Sequence, residues 1–152
     1  MPYIGPGNLL YAYDSTRGKN LSLQRVNFPL NHDTSSGNLV WLQLARHVST
    51  IGETGYPMLR DATITNITAM CRQINTGDIE LQVTKNDDEA GTDLIRLQFP
   101  QTGADASPTV ISGSLNIDLD QADFVQGIVK DNGSGGIINN PILVIEVAWR
   151  DS

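Results

Sequence analysis

Residues 78–99, DIELQVTKNDDEAGTDLIRLQF, decide the fold class of this 152-residue chain. In the first part, Ile79, Leu81 and Val83 alternate with polar residues. This two-residue period is typical of a strand that covers a core with one face. Residues 94–99 repeat the alternation after a polar turn, so the two parts together predict a β-hairpin.

The same signature recurs along the chain. Further strands are predicted at 21–28, 39–48, 62–72, 109–119, 124–130 and 142–149. The apolar positions change parity between Ile64 and Ile67, and a bulge near Asn66 would return both side chains to the core. Helical periodicity is weak, and its best candidate is a single turn around 118–124 capped by Asp118 or Asp120.

About eight short strands joined by polar turns predict an all-β domain, either a sandwich or a small barrel. We favour a jelly-roll-like β-sandwich with two sheets of four strands over residues 21–152. Residues 1–20 are expected to form an extended N-terminal arm, because their prolines and glycines interrupt any regular pattern.

The arm carries an apolar and aromatic cluster with three of the four tyrosines. One interpretation is a strand folded back on its own domain, and the other is a segment that lies on another subunit. The candidate partner-binding residues are Tyr3, Ile4, Leu9, Leu10, Tyr11 and Tyr13.

The glycine-rich segment before the last predicted strand resembles a phosphate-binding loop only superficially. Such a loop needs a helix directly after the glycines, so that backbone amides and the helix dipole converge on the anion. Here Gly135 and Gly136 are followed by Ile137, Ile138 and then Pro141, and the segment lacks the expected lysine. The pattern predicts a turn followed by a strand.

Composition restricts the partners. Seventeen acidic against ten basic residues give a net charge of -7, and no basic stripe opposes it, so nucleic acid binding is not expected. No segment is long and apolar enough to cross a membrane, and the first residues do not resemble a secretory signal. Cys71 is the only cysteine and is predicted to be a buried thiol in a strand, which is compatible with assembly in a reducing compartment.

No catalytic, metal or cofactor site is predicted, and the chain is not expected to be an enzyme. His32 lies in a polar loop and His47 late in a strand, while Cys71 lacks the local signature of a nucleophile. The acidic turn 86–93 fails the spacing of a calcium loop, and 118–123 is read as a solvated turn.

Carbohydrate binding has no support in the sequence. Trp41 and Trp149 fall inside predicted strands, where core or edge positions are the simpler interpretation. The loops that carry Asn and Asp contain no tryptophan that could serve as a platform for a sugar ring.

Three segments carry a resemblance to a known group of proteins: YPMLRDATITNITAMC at 56–71, DIELQVTKN at 78–86, and LNIDLDQADFVQGIVKDNGSGGIINNPILVIEVAWR at 115–150. The phrase DATIT opening an early strand, and a glycine-rich turn ending in Asn and Pro, resemble the small jelly-roll proteins of tailed bacteriophages. These include the decoration, or cement, proteins of capsids and related β-domains of head and tail fibres.

The resemblance implies a non-enzymatic virion protein, assembled in the host cytoplasm, that binds the major capsid protein on the outer capsid surface and stabilises the shell. Such proteins are commonly homotrimers. The alternative is a receptor-binding or baseplate β-domain of a phage tail. The chain shows no internal repeat of the kind that a fibre shaft carries, which favours the capsid.

Overall fold

The computed structural model describes residues 1–32, 34–36, 39–45, 48–49, 55–71, 73–74, 79–86, 94–98, 109–131 and 137–151. Apart from a short 3-10 turn at Pro6–Asn8, the regular structure of these residues is all β. The strands are β1 (Tyr3–Gly5), β2 (Leu9–Asp14), β3 (Lys19–Asn31), β4 (Thr34–Ser36), β5 (Leu39–Trp41), β6 (Gln43–Ala45), β7 (Val48–Ser49), β8 (Tyr56–Pro57), β9 (Ala62–Cys71), β10 (Gln73–Ile74), β11 (Ile79–Lys85), β12 (Ile95–Gln98), β13 (Thr109–Leu119), β14 (Phe124–Asp131), β15 (Ile137–Asn139) and β16 (Ile142–Arg150). Within these ranges no helix has the length and apolarity needed to span a bilayer.

Two antiparallel sheets form the body. The larger has the order β1-β2-β3-β16-β9-β13, with β6 paired to β3 and β7 paired to β6. The smaller has the order β12-β11-β14-β5, with β8 also paired to β14. Three short strands in the order β10-β15-β4 form a separate small sheet. In the chain, β10 directly follows β9, β15 directly precedes β16, and β4 directly follows β3.

The chain passes repeatedly from one sheet to the other, as in a jelly roll. It runs from β9 in the larger sheet to β11 and β12 in the smaller, back to β13, across to β14, and finally to β16. Because β16 lies between β3 and β9, the centre of the larger sheet joins strands that are far apart in sequence.

Apolar side chains from both sheets meet in one core, which confirms the predicted all-β sandwich. The larger sheet contributes Leu30, Ile64, Ile67, Ala69, Leu143, Ile145 and Val147, and the smaller contributes Ile79, Leu81, Val83, Val125 and Val129. Burial of each large aliphatic side chain contributes about 1.5 to 3 kcal/mol. On β11 the predicted apolar face is buried, but Gln82 and Thr84 on the other face are buried as well, so this strand is covered on both sides.

The predicted bulge near Asn66 is confirmed. Pairing with β16 is in register from Met70 to Asn66 and then shifts, so that Ile64 faces Val147. The neighbour on the other side, β13, shifts at the same level. Because the extra residue changes the parity of β9, both Ile64 and Ile67 point into the core.

The single strand predicted at 39–48 is divided by a change of sheet. β5 pairs with β14 in the smaller sheet, whereas β6 pairs with β3 in the larger. Leu42, between them, is fully buried, and its backbone N–H donates to the carbonyl of Gly127 at 2.8 Å. The alternation continues through this corner because Leu42 stays inside while the backbone turns, so the sequence pattern does not reveal the break.

Of the two interpretations of residues 1–20, the structure shows a strand hairpin folded back on its own domain. β1 and β2 form a hairpin, and β2 pairs with β3 from Tyr11 opposite Ser22 to Asp14 opposite Lys19. Residues 1–20 therefore continue the larger sheet of their own domain as its edge. Whether this edge also contacts another subunit stays a prediction.

Candidate partner-binding surface

The N-terminal hairpin turns through a tight connection between β1 and β2. Gly7 and Asn8 both have left-handed backbone conformations, with φ of 70° and 58°. Glycine adopts such angles without strain and asparagine tolerates them better than most residues, so the Pro-Gly-Asn sequence suits this turn. The turn brings Ile4 opposite Leu10 and Tyr3 opposite Tyr11.

Tyr11 differs from the other predicted partner-binding residues, because it packs inside its own domain. Its side chain is fully buried, its hydroxyl donates to the Pro6 carbonyl at 3.3 Å, and its ring stacks on Tyr3 with centroids 6.0 Å apart. A Cβ added at Gly5 would lie 2.7 Å from the Tyr11 ring, so the absence of a side chain there makes room for the ring. Tyr11 is thus the packing anchor of the hairpin.

The other large side chains of the hairpin are accessible, apart from Leu9, which is only partly exposed. The exposed fractions are 74% for Ile4, 63% for Tyr13, 41% for Leu10 and 37% for Tyr3, and Leu23 on the neighbouring β3 is 49% exposed. We call these five residues the hairpin surface. Leu23 was missed from sequence because it lies in a regular strand, LSLQRVNF, where its neighbours Leu21 and Ser22 are the buried ones.

The hairpin surface covers both sides of the sheet. Residues that face each other across a β-ladder lie on the same side, so Ile4 and Leu10 share one side while Tyr3 and Tyr13 lie on the other. The Tyr3 hydroxyl donates to the carboxylate of Asp151, and this hydrogen bond is the main cause that raises the pKa of Tyr3 to about 12. Tyr3 is therefore held against Asp151. The aliphatic side chains of Ile4 and Leu10 are exposed and available for apolar contact.

The two ends of the larger sheet differ in how they are protected. At one end β1 pairs, within the described ranges, with β2 only, and its other side is an open edge next to exposed apolar residues. At the other end β13 carries a bulge between Ser114 and Ile117, and Arg17 donates there to the Leu115 carbonyl at 2.7 Å. Bulges and capped carbonyls discourage strand addition, so the open end is the N-terminal one.

Arg17 ties the tip of the β2–β3 hairpin across the outer side of the larger sheet. Besides Leu115, its guanidinium donates to the Thr65 carbonyl at 2.8 Å and the Ser114 hydroxyl at 2.9 Å, and it forms an ion pair with Asp14 at 2.8 Å. The hydrogen bonds from Arg17 are the main cause that lowers the pKa of Asp14 below its ordinary value. This network holds the base of the hairpin surface in position.

A cluster of charged side chains lies beside the Arg17 network. Asp118 accepts hydrogen bonds from Lys19 at 2.6 Å and from the Thr63 hydroxyl at 2.7 Å, and pairs with Arg150 at 2.7 Å. Burial alone raises the pKa of Asp118, but the two hydrogen bonds and the charges of Arg150 and Lys19 more than offset it, so the pKa is lowered.

The turn between β13 and β14 is held by Asp123. Its carboxylate accepts from the Asn86 amide at 2.6 Å, the Asp120 backbone N–H at 2.9 Å and Lys85 at 3.2 Å. Burial raises the pKa of Asp123, and these hydrogen bonds together lower it below its ordinary value. The expected single helical turn at 118–124 is therefore a hydrogen-bonded turn, in which Asp123 rather than Asp118 or Asp120 supplies the capping carboxylate.

These lowered pKa values predict acid sensitivity. Asp14, Asp118 and Asp123 have pKa values below the ordinary 3.8, so their contribution to stability is complete above that pH and is lost as the pH falls through the folded-state values. We expect the urea midpoint to fall steeply from about pH 4 downwards, with little change from these groups between pH 6 and 8.

The variant Asp118→Asn should reduce this acid dependence and lower stability at neutral pH. Asp120→Asn removes the same charge at a position 79% exposed, and serves as the matched control. An acid slope that is the same for Asp118→Asn and the wild type would contradict the assignment.

The remaining residues considered for chemistry lie apart. His32 is partly buried at the end of β3, and its Nδ1 has no hydrogen-bond partner among the described residues. Cys71 is fully buried at the end of β9, as predicted. Trp149 is partly buried against the core, as predicted, and Trp41 lies in β5. His47 lies outside the described residues.

The loops considered for metal and phosphate lie largely outside the described ranges. Of the acidic turn 86–93, the structure describes only Asn86, which binds Asp123 and Phe124. Among the residues that it does describe, no group of three or more Cys, His, Asp or Glu side chains could hold a metal ion. The glycine-rich segment is followed by β15, which was not predicted as a strand, and then by β16, which confirms the strand predicted at 142–149.

No protein-family model matches the chain, and no curated protein sequence is similar to it. Among solved structures, the C-terminal CBM6 of LamC, a marine laminarinase from Zobellia galactanivorans, is 14% identical over 79% of this chain and 98% of its own, with a TM-score of 0.42. A family 35 carbohydrate binding module from Clostridium thermocellum is 11% identical over 79% and 97%, with a TM-score of 0.37. The Eiger TNF of S. frugiperda is 8% identical over 83% and 96%, with a TM-score of 0.37.

These structural similarities are weak. All three TM-scores are below 0.5, so neither the fold nor the function of this chain is inferred from them.

Proposed function

We propose that this protein is a structural subunit that attaches to neighbouring protein subunits through the hairpin surface. The observation that carries the proposal is the exposure of large apolar side chains on both sides of a short hairpin at the open end of a sheet. Exposed apolar clusters of this kind are typical of contact surfaces between proteins. The role requires no catalytic group.

The resemblance of residues 56–150 to phage jelly-roll proteins supports a more specific form of the proposal. In it, the neighbour is the major capsid protein of a tailed phage, and the chain decorates the outer capsid surface, with three copies acting together. A protein that binds the assembled lattice but not the free coat subunit favours the lattice by its binding free energy. In a trimer, the second and third contacts are effectively intramolecular, which strengthens attachment.

The structure indicates how this proposal should be tested. Deletion of residues 2–13 would remove β1, all of β2 except Asp14, and the buried Tyr11, although β2 pairs with β3. Such a truncation disturbs the domain as well as the surface. Substitutions of exposed side chains separate the two effects.

We expect the triple variant Ile4→Ser, Leu10→Ser and Tyr13→Ser to keep the wild-type circular dichroism spectrum but to bind at least about tenfold more weakly, because each buried apolar side chain contributes over 1 kcal/mol. The measurement is co-pelleting with heads of the phage that encodes the chain, assembled without it.

The matched control is the double variant Met70→Ser and Ile142→Ser, which changes an exposed apolar pair on β9 and β16. It should attach like the wild type. Unchanged attachment of the triple variant would remove the hairpin surface from the account. No attachment of the wild type would remove the capsid as the partner.

A further inference from the structure

A polar cleft of about 390 Å³ lies beside the hairpin turn. It is lined by Pro6, Gly7, Arg60, Asp61, Gln121 and Arg150. Two guanidinium groups thus face one cleft on a chain whose net charge is -7. None of the contacts described above uses Arg60.

The two arginines differ in how their charges are balanced. Arg150 pairs with Asp118 at 2.7 Å and lies 3.4 Å from Asp120 and 3.7 Å from Asp61. Arg60 donates to the Pro6 carbonyl at 2.9 Å, and it has no ion pair with any residue in the described ranges. Arg60 is therefore the guanidinium of the cleft that pairs with no carboxylate among the described residues.

Gly7 fixes the position of this charge. A Cβ built on Gly7 would lie 1.9 and 2.1 Å from the two terminal nitrogens of Arg60, so the guanidinium rests directly against the glycine backbone. The bond to Pro6 holds it from the same turn. A guanidinium held in place loses less conformational entropy when it binds a second group.

Asp61 does not neutralise Arg60. One carboxylate oxygen of Asp61 accepts from the Gln121 backbone N–H at 2.9 Å, and the other lies nearest Arg150. Leu59, next to Arg60, and Ile4, two residues before Pro6, are 71% and 74% exposed. The Arg60 guanidinium is thus held in place, with exposed apolar side chains nearby in the sequence.

We propose that this cleft binds a carboxylate, supplied by an aspartate or glutamate side chain of the partner protein. The inference rests on the proposed function and names the chemistry of the contact. A guanidinium fork matches a carboxylate with two parallel hydrogen bonds. A phosphate dianion is disfavoured, because Arg150 is already paired, and the second negative charge would be repelled by Asp61, Asp118 and Asp120 without a second unpaired cation among the described lining residues to offset it.

The test is a titration of the ¹⁵N-labelled protein with the capped peptide acetyl-Gly-Asp-Gly-amide, followed by NMR. The amides of Gly7 and Gln121 should shift and saturate with a Kd on the order of 1 to 10 mM, as one charge-assisted contact supports. The capped Gly-Asn-Gly peptide and inorganic phosphate should shift these amides at least about threefold less at equal concentration.

Arg60→Gln should abolish the shifts. Gly7→Ala should weaken them by displacing the guanidinium, while the rest of its spectrum reports that the domain is folded. Arg96→Gln on β12 removes the same charge at an exposed site of the other sheet, and should bind like the wild type.

Equal shifts with the Asn peptide, stronger shifts with phosphate, or shifts that survive Arg60→Gln would each overturn the carboxylate site. This outcome is distinguishable from failure of the proposed function. If the peptide causes no shifts in the cleft, the co-pelleting result for the triple hairpin variant is unaffected. A hairpin variant that attaches normally leaves the peptide titration intact.

Discussion

Replacement of Gly127 by valine is expected to lower the free energy of unfolding by about 3 kcal/mol. A Cβ at this position would lie 2.8 Å from Leu42 Cδ1, 2.9 Å from Leu30 Cδ1 and 3.2 Å from Leu143 Cδ2, and all three leucines are fully buried. The core therefore has no room for the added carbons unless these three buried leucine side chains shift. Urea denaturation at pH 7, followed by tryptophan fluorescence, measures the loss.

A double-mutant cycle separates overpacking from other effects. Gly127→Ala and Leu42→Ala should each destabilise, the first by crowding and the second by leaving a cavity. The double variant should be more stable than the sum of the two losses predicts, by about 1 kcal/mol or more, because the missing leucine carbons make room for the new methyl group. Strict additivity would show that Leu42 and Gly127 are not packed as described.

The variant Arg17→Met is expected to lose about 2 to 3 kcal/mol, since the carbonyls of Leu115 and Thr65 each lose a charged donor. Methionine keeps much of the aliphatic volume, so lost hydrogen bonds rather than lost packing dominate the effect. Amide hydrogen exchange should become faster in β2 and in the first residues of β3, because the tip of the β2–β3 hairpin is released from the sheet.

Arg25→Met provides the comparison for Arg17. Arg25 is exposed on β3 and lies 3.9 Å from Glu146, and exposed ion pairs usually contribute about 0.2 to 1 kcal/mol. If Arg17→Met lowers the free energy of unfolding no more than this control does, water fully replaces the hydrogen bonds of the guanidinium. The Arg17 network would then not stabilise the fold.

Much of the strand content could be predicted, because alternation of apolar and polar residues directly reports a one-sided burial. The hairpin at 78–99 and the bulge at Asn66 followed from parity alone. The corner at Leu42 could not, since the chain changes sheet there without breaking the alternation. What permits the corner is the bare backbone of Gly127, which lies 85 residues away in the sequence (127 − 42).

The pairing of the N-terminal segment could not be predicted, for a different reason. In LLYAY, residues 9–13, apolar and aromatic residues occupy consecutive positions, so no period indicates which face is buried. The distinction between Tyr11, which is buried, and Tyr13, which is exposed, comes from the space above Gly5 and from pairing with β3. Neither is readable from the local sequence.

The candidate cleft and the ion-pair networks were also beyond prediction. Arg17 and Leu115 are 98 positions apart, and Lys19 and Asp118 are 99 apart. Only the order of strands in the larger sheet brings them together. Single scattered charges in the sequence therefore gave no indication that Arg60 and Arg150 share one cleft.

The central place of β16 bears on how the protein is made. β16 lies between β3 and β9 in the sheet. During synthesis, these two strands therefore lack their shared neighbour until β16 emerges from the ribosome. Contacts between such distant segments slow folding, and meanwhile the apolar faces of the nascent chain stay open to chaperones or to aggregation. We therefore expect this domain to complete its folding only after β16 has left the ribosome.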